Sequence, residues 1–291
     1  MMHPAFFFTS GARALSVFST LRDYFAYDFV RNALIAGVLI SLCAGLLGVV
    51  LVLKRYSMIG DGLSHVAFGA MAVAAVLGWA PMAAALPVTV GAAILLLLAS
   101  DRGHIKGDAA IAMLSAVCLA VGVMAVSLTS GMNTDIYNYM FGSILSLSPH
   151  DARLSMALSV GVLLLFLLCY TRIFGVTFDE SFSRAVGVRV GLYNAVIAVL
   201  TAVTVVLGMR MMGALLISSL VIFPALTAMR VCKRFSTVML CAAILSVVCF
   251  TVGLILSYVL GVPSGASVVL TDAAAFLLFS LIHIGKLHRR E

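Results

Sequence analysis

An acidic and a basic side chain stand four residues apart, shortly after the first long apolar run of the chain. Asp61 and His65 share one face if their segment is helical, because residues four apart are neighbours on a helix surface. A carboxylate oxygen and an imidazole nitrogen suit zinc, manganese or iron better than an organic substrate. The competing interpretation is that Asp61 caps the helix at the membrane boundary and that His65 is a buried, hydrogen-bonded histidine. From the spacing alone, this second interpretation is the commoner one.

Two further acids are candidates for the same chemistry. Asp272 lies inside an apolar run near the C-terminus, and Asp135 lies in the polar, aromatic stretch of residues 131–149. Ionisable groups at membrane depth are costly, so they usually face a cavity or a partner. Asp272 is therefore a candidate ligand or pairing partner, and Asp135 a candidate vestibule residue, although a solvated loop acid is the simpler interpretation of Asp135.

A short polar segment predicts a helix too short to cross a membrane. Thr177 and Glu180 fit a capping box, with Thr177 as the N-cap and Glu180 at the third helical position. Glu180 and Arg184 form an i, i+4 pair, and Gly187 suits the end of the helix. The expected helix has about nine residues.

One face of this helix is apolar. Its stripe consists of residues at i, i+4, i+7 and i+8, with the charged Asp179 beside it: Phe178, Phe182, Ala185 and Val186. The helix either lies on the membrane surface or presents these aromatic residues to a soluble partner.

The composition requires a membrane around these motifs. Of the 291 residues, 63% are hydrophobic and 10% are charged, which is too apolar for one soluble core. A membrane-spanning helix needs about 20 mostly apolar residues. We predict an all-α transmembrane bundle of eight or nine spans: residues 32–53, two spans within 62–100 separated at 78–81, then 109–129, 154–171, 190–209, 211–229, 235–260 and 266–285.

Several regions fall outside these spans. Residues 131–149 hold too short an apolar stretch to cross and predict a re-entrant or interfacial helix. Residues 1–31 predict an extension or interfacial segment, residues 32–285 the permease domain, and residues 286–291 a cytoplasmic tail. Nine spans with that tail inside place 13 of the 18 basic residues on the cytoplasmic side. Arg210 is expected at the tight turn between two spans.

Residues 213–228 combine small residues, two serines and an internal proline. Small faces allow close helix packing, and Pro224 removes a backbone donor and should kink its helix. Gly213 and Pro224 are therefore the expected positions of a kink or gate.

Other functional classes lack their signatures. The net charge of +7 comes from basic residues between apolar runs, so membrane topology explains it better than nucleic-acid binding. No nucleotide-binding glycine motif and no close Cys-x-x-Cys pair occur in the sequence. Any use of ATP must therefore come from another chain.

Residues 55–65, 179–187 and 213–228, in this order, closely resemble the membrane subunits of zinc and manganese uptake ABC importers. The resemblance implies the permease fold of a type II-like ABC importer in a bacterial cytoplasmic membrane, with Zn²⁺ or Mn²⁺ as cargo and no permanently bound cofactor. It implies that Asp61 and His65 contact the metal in transit. It also implies that Asp179 to Gly187 is the coupling helix that docks on the ATPase.

The same resemblance implies a homodimer, two cytoplasmic ATPase subunits and an extracytoplasmic metal-binding protein. The alternative is a stand-alone secondary transporter or channel with Asp61, His65 and Asp272 as a proton-coupled site. An intramembrane hydrolase is disfavoured because no nucleophile and base stand at helical spacing.

Overall fold

A computed structural model describes residues 28–101, 107–128 and 149–288, with side chains described over 31–98, 108–128 and 150–282. These residues form ten helices. They are α1 (Asp28–Leu53), α2 (Ile59–Val76), α3 (Pro81–Asp101), α4 (Gly107–Ser127), α5 (Pro149–Phe178), α6 (Glu180–Ala185), α7 (Val190–Met212), α8 (Ala214–Val231), α9 (Phe235–Leu260) and α10 (Ser264–His288).

Nine of the helices in the described part of the chain are long and apolar enough to cross a membrane. They match the nine predicted spans, and only α6 is too short. α1 begins four residues before the predicted span, and α10 continues into the predicted tail. The predicted re-entrant segment and Asp135 lie outside the described residues.

α5 is longer than the span predicted at 154–171. Its 30 residues correspond to about 45 Å of helix, against about 30 Å for the hydrocarbon core of a bilayer. Because the polar residues after 171 continue the same helix, the C-terminal end of α5 projects beyond the membrane and carries α6 with it.

The centre of the bundle is made by α1, α2, α7 and α8, which bury most of their surface. α1 packs on α5, α7, α8 and α9, while α2 packs on α3, α4, α7 and α8. The outer faces of α4, α5 and α10 leave large apolar side chains such as Met124, Leu168 and Leu270 exposed. These faces suit lipid or another apolar surface.

The central helices approach each other closely at glycines. A Cβ atom at Gly48 of α1 would overlap the backbone carbonyl of Val221 in α8. Gly69 of α2 lies equally tightly against the backbone of Cys118 in α4. Backbones can meet at this distance only where one helix lacks a side chain, as is common between membrane helices.

The turn between α7 and α8 lies at Gly213, so the prediction that placed it at Arg210 is wrong. Gly213 has φ of 90°, in the region that glycine adopts without strain, whereas Arg210 stays in the last turn of α7. The Arg210 guanidinium lies 3.5 Å from the Asp151 carboxylate at the start of α5. An ion pair therefore accounts for a charge at this end of the bundle.

The two ends of the bundle agree with the predicted topology. Lys54 and Glu180, both assigned to the inner side, are 2.7 Å apart, and the Arg210–Asp151 pair lies at the side assigned to the exterior. Residues that the basic-residue pattern places on one side thus meet at one end.

Gly48→Ala should destabilise the fold, because the added methyl group must push α1 away from the Val221 carbonyl. Overpacking of this kind costs about 1–3 kcal/mol. The matched control is Gly161→Ala in α5, where a Cβ meets nothing within 4 Å. We expect a lower thermal unfolding midpoint in detergent for Gly48→Ala and an unchanged or higher midpoint for Gly161→Ala. Equal midpoints for the two variants would show that the α1–α8 contact is not tight.

Candidate functional site

Asp61 and His65 lie on one face of α2, as their spacing predicts. His65 Nε2 is 3.7 Å from Asp61 Oδ2, and the two side chains keep 20% and 43% of their surface exposed. That separation is too long for a hydrogen bond. The pair is thus side by side and accessible rather than sealed in the core.

The pair is set deeper than the end of α1. Gly48 of α1 and Gly60 of α2 both lie against Val221 of α8, so the first turn of α2 is level with Gly48. Gly48 precedes the end of α1 at Leu53 by five residues, which is about 7 Å along a helix. The start of α2 is therefore folded back into the bundle.

The capping interpretation of Asp61 does not describe this geometry. The N-cap of α2 is Met58, and no side chain bonds the free amides there. The Asp61 carboxylate instead accepts a hydrogen bond of 3.1 Å from Ser218 Oγ, across the interface with α8. Asp61 thus faces another helix.

Ser218 is a member of the site that the sequence reasoning missed. Its hydroxyl also lies 3.1 Å from the Ala214 carbonyl of its own helix, and its one proton can serve only one acceptor at a time. The signal was present in the two adjacent serines of an apolar helix, but a sequence gives no partner for them.

The spacing of the pair is close to what one metal ion needs. Two ligands about 2.0–2.2 Å from a tetrahedral ion lie about 3.4 Å apart, so a small side-chain rotation would bring the 3.7 Å pair into coordination. Within the described part of the chain, no group of three or more His, Cys, Asp or Glu side chains forms. Asp61 and His65 therefore supply two strong ligands, and Ser218 a neighbouring oxygen.

Asp272 does not join this pair. It is 1% exposed and accepts a hydrogen bond of 3.0 Å from Ser219 Oγ. Since Ser218 turns towards α2 and Ser219 towards α10, the two carboxylates contact neighbouring serines on different faces of α8. A place for Asp272 in a metal path stays a prediction, and its observed role is to join α10 to α8.

The predicted kink positions both belong to the helix that carries these serines. Gly213 separates α7 from α8, and Pro224 lies inside α8, six residues after Ser218. Because Pro224 has no N–H, the helix loses one backbone hydrogen bond in its middle. Both residues are thus placed where movement of α8 would displace Ser218.

The short helix α6 begins differently from the prediction, and Thr177 is not its N-cap. α5 continues to Phe178, and the Thr177 hydroxyl bonds the Ile173 carbonyl within it at 2.6 Å. Asp179 leaves the helical conformation and accepts a hydrogen bond of 2.8 Å from the Phe182 amide. Asp179 is therefore the cap, and α6 has six residues instead of about nine.

The end of α6 is as predicted. Gly187 has φ of 85°, its amide bonds the Arg184 carbonyl, and the next amide, of Val188, bonds the Ser183 carbonyl. This is the Schellman arrangement that glycine favours after a helix. The predicted Glu180–Arg184 pair is also present, at 3.8 Å.

The apolar stripe of α6 is smaller than predicted. Phe178 is the last residue of α5 and packs edge-on against Phe235 of α9 with ring centroids 5.6 Å apart. Phe182 is 66% exposed, and Ala185 and Val186 are exposed beside it. Exposed apolar side chains beyond the membrane end of α5 are typical of a protein-docking surface.

Comparisons with known proteins give the chain its class. The model of the ABC 3 transport family matches residues 26–283. The chain belongs to this family. The manganese import system permease protein ScaB of Streptococcus gordonii is 29% identical over 87% of this chain and 90% of its own length. A probable metal transport system membrane protein of Treponema pallidum is 31% identical over 89% of this chain and 98% of its own.

A solved structure agrees with this ABC 3 assignment. PsaBC from Streptococcus pneumoniae, in complex with Fab, is 27% identical, with 91% of this chain and 95% of that chain covered and a TM-score of 0.81. The predicted all-α permease fold, the resemblance to metal-uptake ABC importers and the location in a bacterial cytoplasmic membrane are confirmed. The ABC 3 family assignment favours a transport subunit over a stand-alone secondary transporter.

Proposed function

We propose that this chain is the translocation subunit of an importer for divalent transition-metal ions, with manganese as the favoured cargo and zinc as the second. The observation that carries the proposal is the convergence of Asp61, His65 and Ser218 between two central helices. Carboxylate and hydroxyl oxygens suit manganese, and the imidazole nitrogen suits zinc as well. The relative from Streptococcus gordonii is named for manganese import, which supports the same order.

An incomplete ligand set suits passage. Two strong ligands hold an ion briefly, whereas a closed tetrahedral set would trap it. The ion would meet Asp61 and His65 in turn or together, with Ser218 orienting the Asp61 carboxylate. No ion needs to reside in this site between transport cycles.

The proposed assembly contains two copies of this chain, two cytoplasmic ATPase subunits and an extracytoplasmic metal-binding protein. α6 is the docking helix, and its exposed Phe182 and Val186 would enter a groove on the ATPase. ATP binding would close the ATPase subunits and rock the two permease copies between inward-open and outward-open states. Hydrolysis belongs to the partner chains and transport to this one.

Asp61→Ala and His65→Ala should each reduce manganese and zinc uptake by the reconstituted complex to background, because each removes one of two strong ligands. The ATPase should still copurify with both variants, since Asp61 and His65 are far from α6 in sequence and structure. Asp108→Ala and His150→Ala, which remove an exposed acid and an exposed histidine, are the controls. Wild-type uptake of both metals by both site variants would refute the assigned role.

Ser218→Ala should raise the manganese concentration that gives half-maximal uptake by roughly tenfold. The Asp61 carboxylate loses the hydrogen bond that orients it, and such outer partners are worth about 10- to 100-fold in metal affinity. Ser127→Ala in α4, whose hydroxyl bonds only its own helix at 2.7 Å, should leave the value unchanged. An unaltered half-maximal concentration in Ser218→Ala would remove Ser218 from the site.

Phe182→Asp should prevent copurification of the ATPase, because it places an uncompensated charge in an apolar contact. Burying such a charge costs about 3–5 kcal/mol, or more than a hundredfold in affinity. Ser236→Asp adds the same charge on the same predicted side, in the first turn of α9, and should leave assembly intact. A complex that forms equally with Phe182→Asp would exclude α6 as the docking helix.

A further inference from the structure

The docking helix is held to the bundle by one carboxylate. Glu180, the first residue of α6, accepts a 2.7 Å bond from Lys54 Nζ and a 3.2 Å bond from Asn194 Nδ2 on the same oxygen, Oε1. Lys54 follows α1, and Asn194 lies in the first turns of α7. One side chain of α6 thus contacts two helices of the central bundle.

The Lys54 contact leads directly to the metal-site residues. Lys54 follows the last residue of α1, and only residues 54–58 separate α1 from α2. The turn is closed by bonds from the Arg55 amide to the Val52 carbonyl and from the Tyr56 amide to the Leu51 carbonyl. Because this short turn is tightly bonded, displacement of Lys54 must displace the start of α2, which carries Asp61.

The Asn194 contact leads to the same place by another route. α7 runs from Val190 to Met212, and Gly213 alone connects it to α8, where Ser218 bonds Asp61. Lys54 therefore leads to the Asp61 side of that hydrogen bond, and Asn194 leads to its Ser218 side. Both routes begin at Glu180.

The surroundings commit the Lys54 ammonium to Glu180. Its side chain is only 7% exposed, and its other bond is to the Val176 carbonyl in α5 at 3.3 Å. The cavity beside it is lined mostly by apolar side chains such as Leu51, Leu96 and Ile111. An ammonium left here without its carboxylate would lack most of its stabilisation.

The carboxylate is likewise kept charged. Partial burial alone would raise the pKa of Glu180, but hydrogen bonds from Lys54 and Asn194 and the charges of Lys54 and Arg184 outweigh that effect and lower the pKa below its ordinary value. The Glu180–Lys54 pair is therefore ionic at neutral pH.

Resting on the proposed function, we propose that Glu180 transmits ATPase movement to the metal site through Lys54 and Asn194. Lys54 is a positioning residue: it touches neither the ATPase-facing side chain of Phe182 nor the metal ligands. Its loss should uncouple docking from the site without preventing docking.

The first test is hydrogen–deuterium exchange on the complete complex, with and without the docked ATPase. In the wild-type chain, docking should slow amide exchange at least threefold both in α6 and in residues 54–61. In Lys54→Met, docking should still slow exchange in α6 but no longer in residues 54–61. Equal slowing of residues 54–61 in both chains would overturn the proposal. This readout needs no transported ion, so it does not depend on the identity of the cargo.

The second test is a charge exchange in the reconstituted importer. Lys54→Met and Lys54→Glu should lower the manganese ions imported per ATP hydrolysed at least tenfold, whereas Lys54→Glu combined with Glu180→Lys should recover at least threefold over Lys54→Glu. Lys233→Met, at an exposed lysine between α8 and α9, is the control and should behave as wild type. An unchanged ratio in Lys54→Met, or no recovery in the double variant, would contradict the proposal. Absence of metal uptake by the wild-type complex would instead refute the proposed function.

Discussion

A carboxylate inside an apolar helical bundle is tolerated only where neighbouring side chains and accessible space compensate for its lost hydration. Asp61 meets this constraint with three features: the Ser218 hydroxyl at 3.1 Å, the His65 imidazole at 3.7 Å and a partly open face. The close approach of α1 to α8 at Gly48 is what brings these elements together. The packing of small residues and the position of the charge are therefore one design.

The structure separates two tasks along the bundle axis. The site between α2 and α8 offers ligands to an ion, while α6 stands outside the membrane at the end of α5 with apolar side chains exposed. The Lys54–Glu180–Asn194 network is the polar connection between these levels. Asp272 belongs to neither level, because its contact with Ser219 fixes α10 against the central helices.

The sequence predicts the spans well because a bilayer requires long apolar runs and each run is visible on its own. The common face of Asp61 and His65 and the helix end at Gly187 are likewise local and were predicted. Thr177 was assigned wrongly as a cap, because nothing local shows that α5 continues through the polar residues after its span. Contacts such as Ser218–Asp61 and Lys54–Glu180 join residues 157 and 126 positions apart, which one sequence cannot reveal.

The central claim is that Asp61 and His65 together contact the transported ion. Anomalous diffraction at the manganese edge, from crystals of the complete complex grown with Mn²⁺, tests it directly. The account predicts a peak within coordination distance of an Asp61 carboxylate oxygen and of a His65 ring nitrogen, with Ser218 beside it. A peak bound by other residues while Asp61 and His65 face lipid would contradict the account.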